Sequence, residues 1–334
     1  MTTIRKVAKL AGVAPITVSR VLNNSGYASD ETRQKVKDAA SLLGYMPNSL
    51  SQSLRWKQTG MLALVITDVT NPFWTTVARG VEDAASVAGY NVILCNTDES
   101  IDKQGGYLRA LLQKRVDGIL LVPAREEMDD IQQVKKLHVP LVVLDRRLPK
   151  PLTDSVRCDS EQGAYLLTRL LLENGHRRIA LLTGSPHVAT VTDRLDGYRR
   201  AMREADIDEN GEMVFYGAFN LESGQAMAHQ ALAAAPRPTA IFAANNFIAL
   251  GLLKTLRAEN IGVPEDVSVV AFDDLPASLL IDPFLTVASQ PAYEMGREAT
   301  TMLIKRLTGD ESDAPWEVIL PVEIIERKSV SRLE

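Results

Sequence analysis

Apolar residues recur at helical spacing from the start of the chain. Ile4, Val7, Ala8 and Ala11 form one stripe of a predicted helix with Thr3 as its N-cap. Gly12-Val13 breaks it. A second helix begins at Pro15, a residue preorganised for the first helical position, and runs to Leu22. Val18, Val21 and Leu22 face inward there; Thr17, Ser19 and Arg20 do not. Asn23-Asn24-Ser25-Gly26 is turn chemistry, and Asp30-Glu31 place negative charge in the first turn of a third helix ending near Gly44. Two short helices on a tight turn, then a third, predict a helix-turn-helix module.

From Gly60 the pattern changes. Residues 61–66 are a continuous apolar run, as expected of a strand buried on both faces. Similar runs occupy 92–94, 118–122 and 141–144, with amphipathic helices between them. The pattern restarts at 178–182 and continues through 240–243 and 267–272. This predicts an α/β core of two doubly wound parallel-sheet lobes. Residues 48–57 lie between the two parts and are too short and too polar to fold alone. The expected organisation is a helix-turn-helix domain at 1–46, a hinge at 47–59 and a core at 60–334. Within the core, one lobe takes about 60–159 and 291–320, and the other about 160–289 and 321–334.

Charge divides along the same line. Up to Thr59 the chain carries nine Lys/Arg and three Asp/Glu, whereas the remainder is acidic within an overall net charge of −5. A basic module on an acidic body points to a small part that meets a polyanion. No apolar run approaches the roughly 18 residues that would suggest a membrane span. The first residues lack the apolar core of a signal peptide, so a cytoplasmic protein is expected. Cys95 and Cys158 form no CxxC motif and read as free thiols.

Residues 4–13, the segment Thr17 to Asn23, and Gly44-Tyr45-Met46-Pro47-Asn48 followed by Ser53-Leu54-Arg55 closely resemble the LacI/GalR family of bacterial repressors. The resemblance implies double-stranded DNA as partner, with Pro15, Ile16, Thr17, Ser19, Arg20 and Asn23 facing it. Arg20 suits a bidentate contact to guanine. Pro15 and Ile16 occupy positions that usually discriminate bases, yet neither side chain donates a hydrogen bond. Arg20 and DNA shape are therefore expected to carry more of the specificity. Ala14 stands where the family usually has a capping Ser.

In the family the hinge enters the minor groove as paired helices, and a leucine wedges between base steps. Leu54 is the matching residue. Ser53, Arg55 and Lys57 are expected at the DNA with it. The family's Ala-Arg-Ser-Leu reads Ser51-Gln52-Ser53-Leu54 here, which loses one arginine contact.

The core resembles the type I periplasmic sugar-binding fold, with lobe crossings expected near Cys158, Ser289 and Pro321. Polar and aromatic residues sit after several strands or open helices. Asn71, Phe73, Trp74, Asp145, Arg146, Arg194, Phe219, Asn245, Asp273 and Gln290 resemble the site of the periplasmic ribose-binding proteins. Rings cover the apolar face of a sugar, while carboxylate, guanidinium and amide groups pair with neighbouring hydroxyls. Taken singly these residues have plainer readings: Phe73 or Trp74 as core, Asp145-Arg146 as an ion pair, Asn71 and Asn245 as helix caps. The purine branch would be expected to carry an additional Arg shortly before Arg194. The stretch Ser185 to Thr190 has none, which disfavours a purine. Asn246 replaces the usual Asp, a change expected to affect strand–helix capping.

No phosphate loop, GxGxxG, HExxH or GxSxG motif is present, and the four histidines are scattered. An enzyme is not expected, nor is any cofactor or metal. The reading is a homodimeric repressor on a palindromic operator, controlled by a small sugar, first of all a ribose-like aldose. The tail after Arg327 lacks a leucine heptad, so no tetramer is expected. The alternative is a cytoplasmic or transport-related sugar-binding protein without operator function.

Overall fold

The computed structural model describes residues 2–23, 25–46, 58–125, 129–207, 212–274, 283–309 and 314–333. The hinge residues Ser53, Leu54, Arg55 and Lys57 lie outside the described residues. The chain divides into two units, Met1–Thr59 and Gly60–Glu334.

The first unit holds α1 (Ile4–Ala11), α2 (Pro15–Leu22) and α3 (Asp30–Leu42). Their apolar stripes meet in one small core of Val7, Ala8, Val18, Val21, Val36, Ala39 and Ala40, with Leu22 half-buried against it. Thr3 takes the N-cap position of α1, but its side chain makes no capping bond. Instead the neighbouring Thr2 hydroxyl donates to Leu43 O (3.1 Å), tying the start of the unit to the end of α3. Ala14 likewise leaves α2 without a side-chain cap, whereas Ser29 caps α3 by accepting from Thr32 N (3.3 Å).

The second unit has two lobes of the same design. The first holds β1 (Met61–Ile66), β2 (Asn91–Asn96), β3 (Gly118–Leu121), β4 (Leu141–Leu144), β5 (Asp154–Cys158) and β11 (Glu317–Leu320). Its order is β11-β5-β4-β3-β1-β2, paired in parallel throughout. The second holds β6 (Ile179–Thr183), β7 (Met213–Tyr216), β8 (Ala240–Ala243), β9 (Ser268–Phe272), β10 (Thr286–Ser289) and β12 (Glu323–Ile325). Its order is β12-β10-β9-β8-β6-β7, parallel except for the antiparallel β10–β12 pair. Strand βn of the first lobe thus corresponds to strand βn+5 of the second from β1 to β5. The central strands are buried on both faces; β2, an edge strand, keeps Leu94 exposed.

Helices α4 (Pro72–Val87), α5 (Ile101–Gln113), α6 (Asp129–Lys136) and α11 (Ala292–Leu307) belong to the first lobe. The second takes α7 (Ser160–Glu173), α8 (Ala189–Glu204), α9 (Leu221–Ala233) and α10 (Asn246–Ala258). The chain passes between lobes after β5, after β10 and after β11. Where α4 meets α11 the backbones nearly touch. A Cβ on Gly80 would stand 2.1 Å from Tyr293 O, and one on Gly296 would stand 2.1 Å from Val77 O. No described helix is long and apolar enough to cross a membrane.

Candidate effector cavity and nucleic-acid face

In an open α/β sheet, ligands collect beyond the carboxyl ends of the strands. Here two such sheets leave a cavity of about 380 Å³ between the lobes. That volume lies in the range of roughly 300–1,000 Å³ usual for small-molecule sites. All ten residues singled out in the core sequence line it.

The aromatic side comes from both lobes. Phe73 and Trp74, in the first turn of α4, pack edge to face with centroids 4.7 Å apart and an interplanar angle of 74°. They belong to the first lobe's core as well as to the cavity wall, so the two readings of these rings coexist. Phe219 reaches in from the loop after β7. Its ring lies where a Cβ on Gly184 would stand only 2.5 Å away, so the residue after β6 has to be glycine for the ring to sit there.

The amides do double duty too. Asn71 caps α4 by accepting from Phe73 N (3.0 Å), and Asn245 caps α10 by accepting from Ile248 N (2.8 Å). Asn246 does not cap. Its Nδ2 donates to Asn71 Oδ1 (2.9 Å), and Asn71 Nδ2 donates back to Asn246 Oδ1 (3.0 Å). The expected effect on capping is thereby corrected: this residue makes a buried amide pair that joins the lobes. An ion pair from Arg147 to Asp193 (2.7 Å) also runs from lobe to lobe. Asp193 and Arg194 sit within α8 rather than at its start.

Asp145 and Asp273 occupy matching places, each just after the fourth strand of its lobe. Both are buried, and both adopt left-handed backbone, with φ of 63° and 67°. Such strain collects at functional sites. Burial raises the Asp145 carboxyl to about 6, against the opposing pull of Arg146 and Arg194. Burial also raises Asp273, with Arg194 and a hydrogen bond from Gln290 Nε2 (2.5 Å) pulling it down.

Asp145 and Arg146 do form an ion pair, but a loose one, 3.8 Å at its closest and without a hydrogen bond. Arg146 forks onto Glu99 instead, at 2.7 and 2.5 Å, and also donates to Pro123 O (2.6 Å). Arg194 lies 3.8 Å over the Phe272 ring and donates to Ala244 O (2.5 Å). Arg146 Nε, Arg194 Nε and Gln290 Oε1 are buried with no hydrogen-bond partner among the described residues. A buried polar atom without a partner costs stability, and a polyhydroxylated ligand is one way to supply the missing bonds. Sequence reading missed Thr67, Asp68, Thr70, Asp98, Glu99 and Thr190 in the wall. The available signal was position: Thr67-Asp68 and Asp98-Glu99 follow the carboxyl ends of β1 and β2.

In the first unit, α2 exposes Pro15, Ile16 and Arg20, with Thr17, Ser19 and Asn23 half-buried. Positions 16, 19, 20 and 23 share one helical face. Asn23 Nδ2 donates to Ser19 Oγ (3.2 Å), which braces that face.

Comparison with known proteins joins the two units. Residues 3–48 match the bacterial regulatory proteins of the lacI family, and residues 168–330 match a periplasmic binding protein-like domain. The HTH-type transcriptional repressor PurR of Photobacterium profundum is 36% identical over 334 residues, covering 100% of both chains. The chain belongs to the LacI family. Among solved structures, a LacI-family regulator from Enterococcus faecium with bound ribose is 30% identical, with a TM-score of 0.75 over 82% of this chain and 100% of that one. The lac repressor dimer bound to operator and the anti-inducer ONPF is 27% identical, with a TM-score of 0.86 over 99% of each chain. Membership of the LacI family makes this protein a DNA-binding transcriptional regulator.

Proposed function

We propose that this LacI-family chain is a homodimeric repressor on a palindromic operator, switched by a small sugar, with a ribose-like aldose as first candidate. The observation that carries the sugar reading is the wall of the inter-lobe cavity. Three rings from two lobes face two carboxylates on left-handed backbone, two guanidiniums and the amides that cap α4 and α10 around one cavity. Ligand contacts supplied by both lobes favour whichever lobe arrangement satisfies them together, and differential affinity for that arrangement is what shifts the equilibrium. The ribose-bound relative supports the ligand class, and the operator-bound dimer supports the assembly.

At the DNA, the roles assigned to Pro15, Ile16, Thr17, Ser19, Arg20 and Asn23, and to Ser53, Leu54, Arg55 and Lys57 of the hinge, form part of the same proposal. So do the domain limits at 46 and 59 and a cytoplasmic location. A purine effector is the second reading, favoured by the similarity to PurR. Against it stands the stretch from Ser185 to Thr190, which contains no arginine.

The test is a thermal-shift screen with pentoses, hexoses and purine bases, followed by gel shifts on a palindromic operator with and without the stabilising compound. Stabilisation by an aldose together with an altered gel shift is expected. Stabilisation by a purine base and by no sugar would overturn the sugar assignment. Absence of operator binding would turn the protein into a sugar-binding protein without regulatory function.

A further inference from the structure

We propose that Glu99 makes the inter-lobe site selective for an uncharged ligand, because its carboxylate already fills the anion-binding fork of Arg146. The inference rests on the sugar reading of the cavity and adds a residue that decides ligand charge. A buried guanidinium facing a cavity is ordinarily the feature that recruits a phosphate or carboxylate, through two parallel N–H···O bonds. In this protein both terminal nitrogens of Arg146 bond to Glu99, at 2.7 and 2.5 Å, and one of them also donates to the carbonyls of Pro123 and Ala124 at 2.6 and 3.2 Å. The Arg146 side chain is 5% exposed and that of Glu99 is 35% exposed, so the carboxylate covers the guanidinium from the solvent side.

Glu99 is held there by its backbone. It follows β2 in left-handed conformation (φ 57°), directly after Asp98 (φ 51°). The second guanidinium offers no better anchor. Arg194 is stacked on Phe272, bonded to Ala244 O, and already close enough to Asp145 and Asp273 to lower both carboxyls. Five carboxylates line the cavity (Asp68, Asp98, Glu99, Asp145 and Asp273) against these two guanidiniums.

An anionic ligand would therefore have to displace Glu99 and come to rest beside other carboxylates. A neutral sugar has no such requirement. Its hydroxyls donate to Asp145 and Asp273, and its oxygens accept from the nitrogens that Glu99 does not use, Arg146 Nε among them.

The experiment is isothermal titration of the full-length wild type, Glu99→Gln and Glu99→Ala with D-ribose, ribose 5-phosphate and inorganic phosphate. Glu99→Gln keeps the side chain's size and reach, so it guards against a loss of folding in Glu99→Ala. The wild type is expected to take ribose at least about 100-fold more tightly than ribose 5-phosphate, and to show no phosphate binding. Both variants are expected to narrow that preference by at least about tenfold and to gain measurable phosphate binding, which a purely structural role for Glu99 would not produce. A wild type that accepts ribose 5-phosphate as well as ribose would overturn the proposal. So would variants that leave the preference unchanged and bind no phosphate. If ribose does not bind the wild type but the variants still gain phosphate, the sugar reading fails and the role of Glu99 stands.

Discussion

Replacing Asp145 by Asn removes a charge that is costly to the fold and useful to a ligand. The carboxyl is buried and raised to about 6, from an ordinary value of 3.8. Because the folded value is the higher one, the fold favours the protonated form. That contribution is fully present below about 4 and is lost as pH rises through 6. Above pH 6, keeping Asp145 ionised costs about 3 kcal/mol, at about 1.4 kcal/mol for each pH unit by which burial raises the carboxyl. Asp145→Asn has no charge to hold. At pH 7.5 it is expected to be more stable than the wild type by up to that amount, about 5–10 °C in the melting temperature of a core this size. At pH 5 the difference should shrink to roughly half, and below pH 4 it should approach zero. Binding runs the other way. Hydrogen bonds to a charged acceptor are worth about 1.5–3 kcal/mol each, so if the proposed sugar donates two hydroxyls to this carboxylate, its loss should weaken ribose by at least about 100-fold. For the wild type, ribose affinity should decline below pH 6 as the carboxyl protonates. Thermal melts and titrations across pH 4–8 on both proteins read all of this. A variant less stable than the wild type at pH 7.5 would refute the reasoning, by showing that Arg146 and Arg194 more than compensate the buried charge.

Asn246→Ala removes both amide bonds between the lobes, each worth about 0.5–1.5 kcal/mol net. Ribose affinity should fall about tenfold although this residue is not in the cavity wall, and an unchanged titration would mean that lobe closure does not use the pair. Gly296→Ala places a methyl where Val77 O already stands, so α4 and α11 must separate; a loss of about 3 kcal/mol or more in urea unfolding is expected, and wild-type stability would show that the crossing yields easily. Arg20→Ala should reduce discrimination between operator and random DNA by about 1–3 kcal/mol in competition gel shifts, and full discrimination would remove Arg20 from base reading. Operator binding should weaken steeply with added salt as phosphate contacts release counterions, and a flat salt response would argue against a phosphate-anchored module.

The sequence by itself determined the elements that are driven by local pattern. The three N-terminal helices follow from apolar spacing, Pro15 and the turn at Asn23. Strands β1, β3, β4, β6, β8 and β9 stand out because burial on both faces leaves a continuous apolar run. Strand β5 (Asp-Ser-Val-Arg-Cys) alternates, β10 (Thr-Val-Ala-Ser) is polar at both ends, and the edge strands β11 and β12 each open on a glutamate, so none of them carries that signal; the edge strand β7 (Met-Val-Phe-Tyr) carries it and was missed. Nine of the ten cavity residues were legible because each follows a strand or opens a helix, and strand ends converge in this fold; Arg194, inside α8, has no such position. What only the tertiary structure decided was partnership between residues far apart in the chain. Asp145 and Arg146 are neighbours in sequence, yet the guanidinium turns to Glu99, 47 residues earlier. Asn246 stands where a helix cap is expected and instead pairs with Asn71 across the lobes, 175 residues away. Local spacing fixes which face of an element is buried, but a hydrogen bond between two elements depends on how the lobes meet, and no local pattern encodes that.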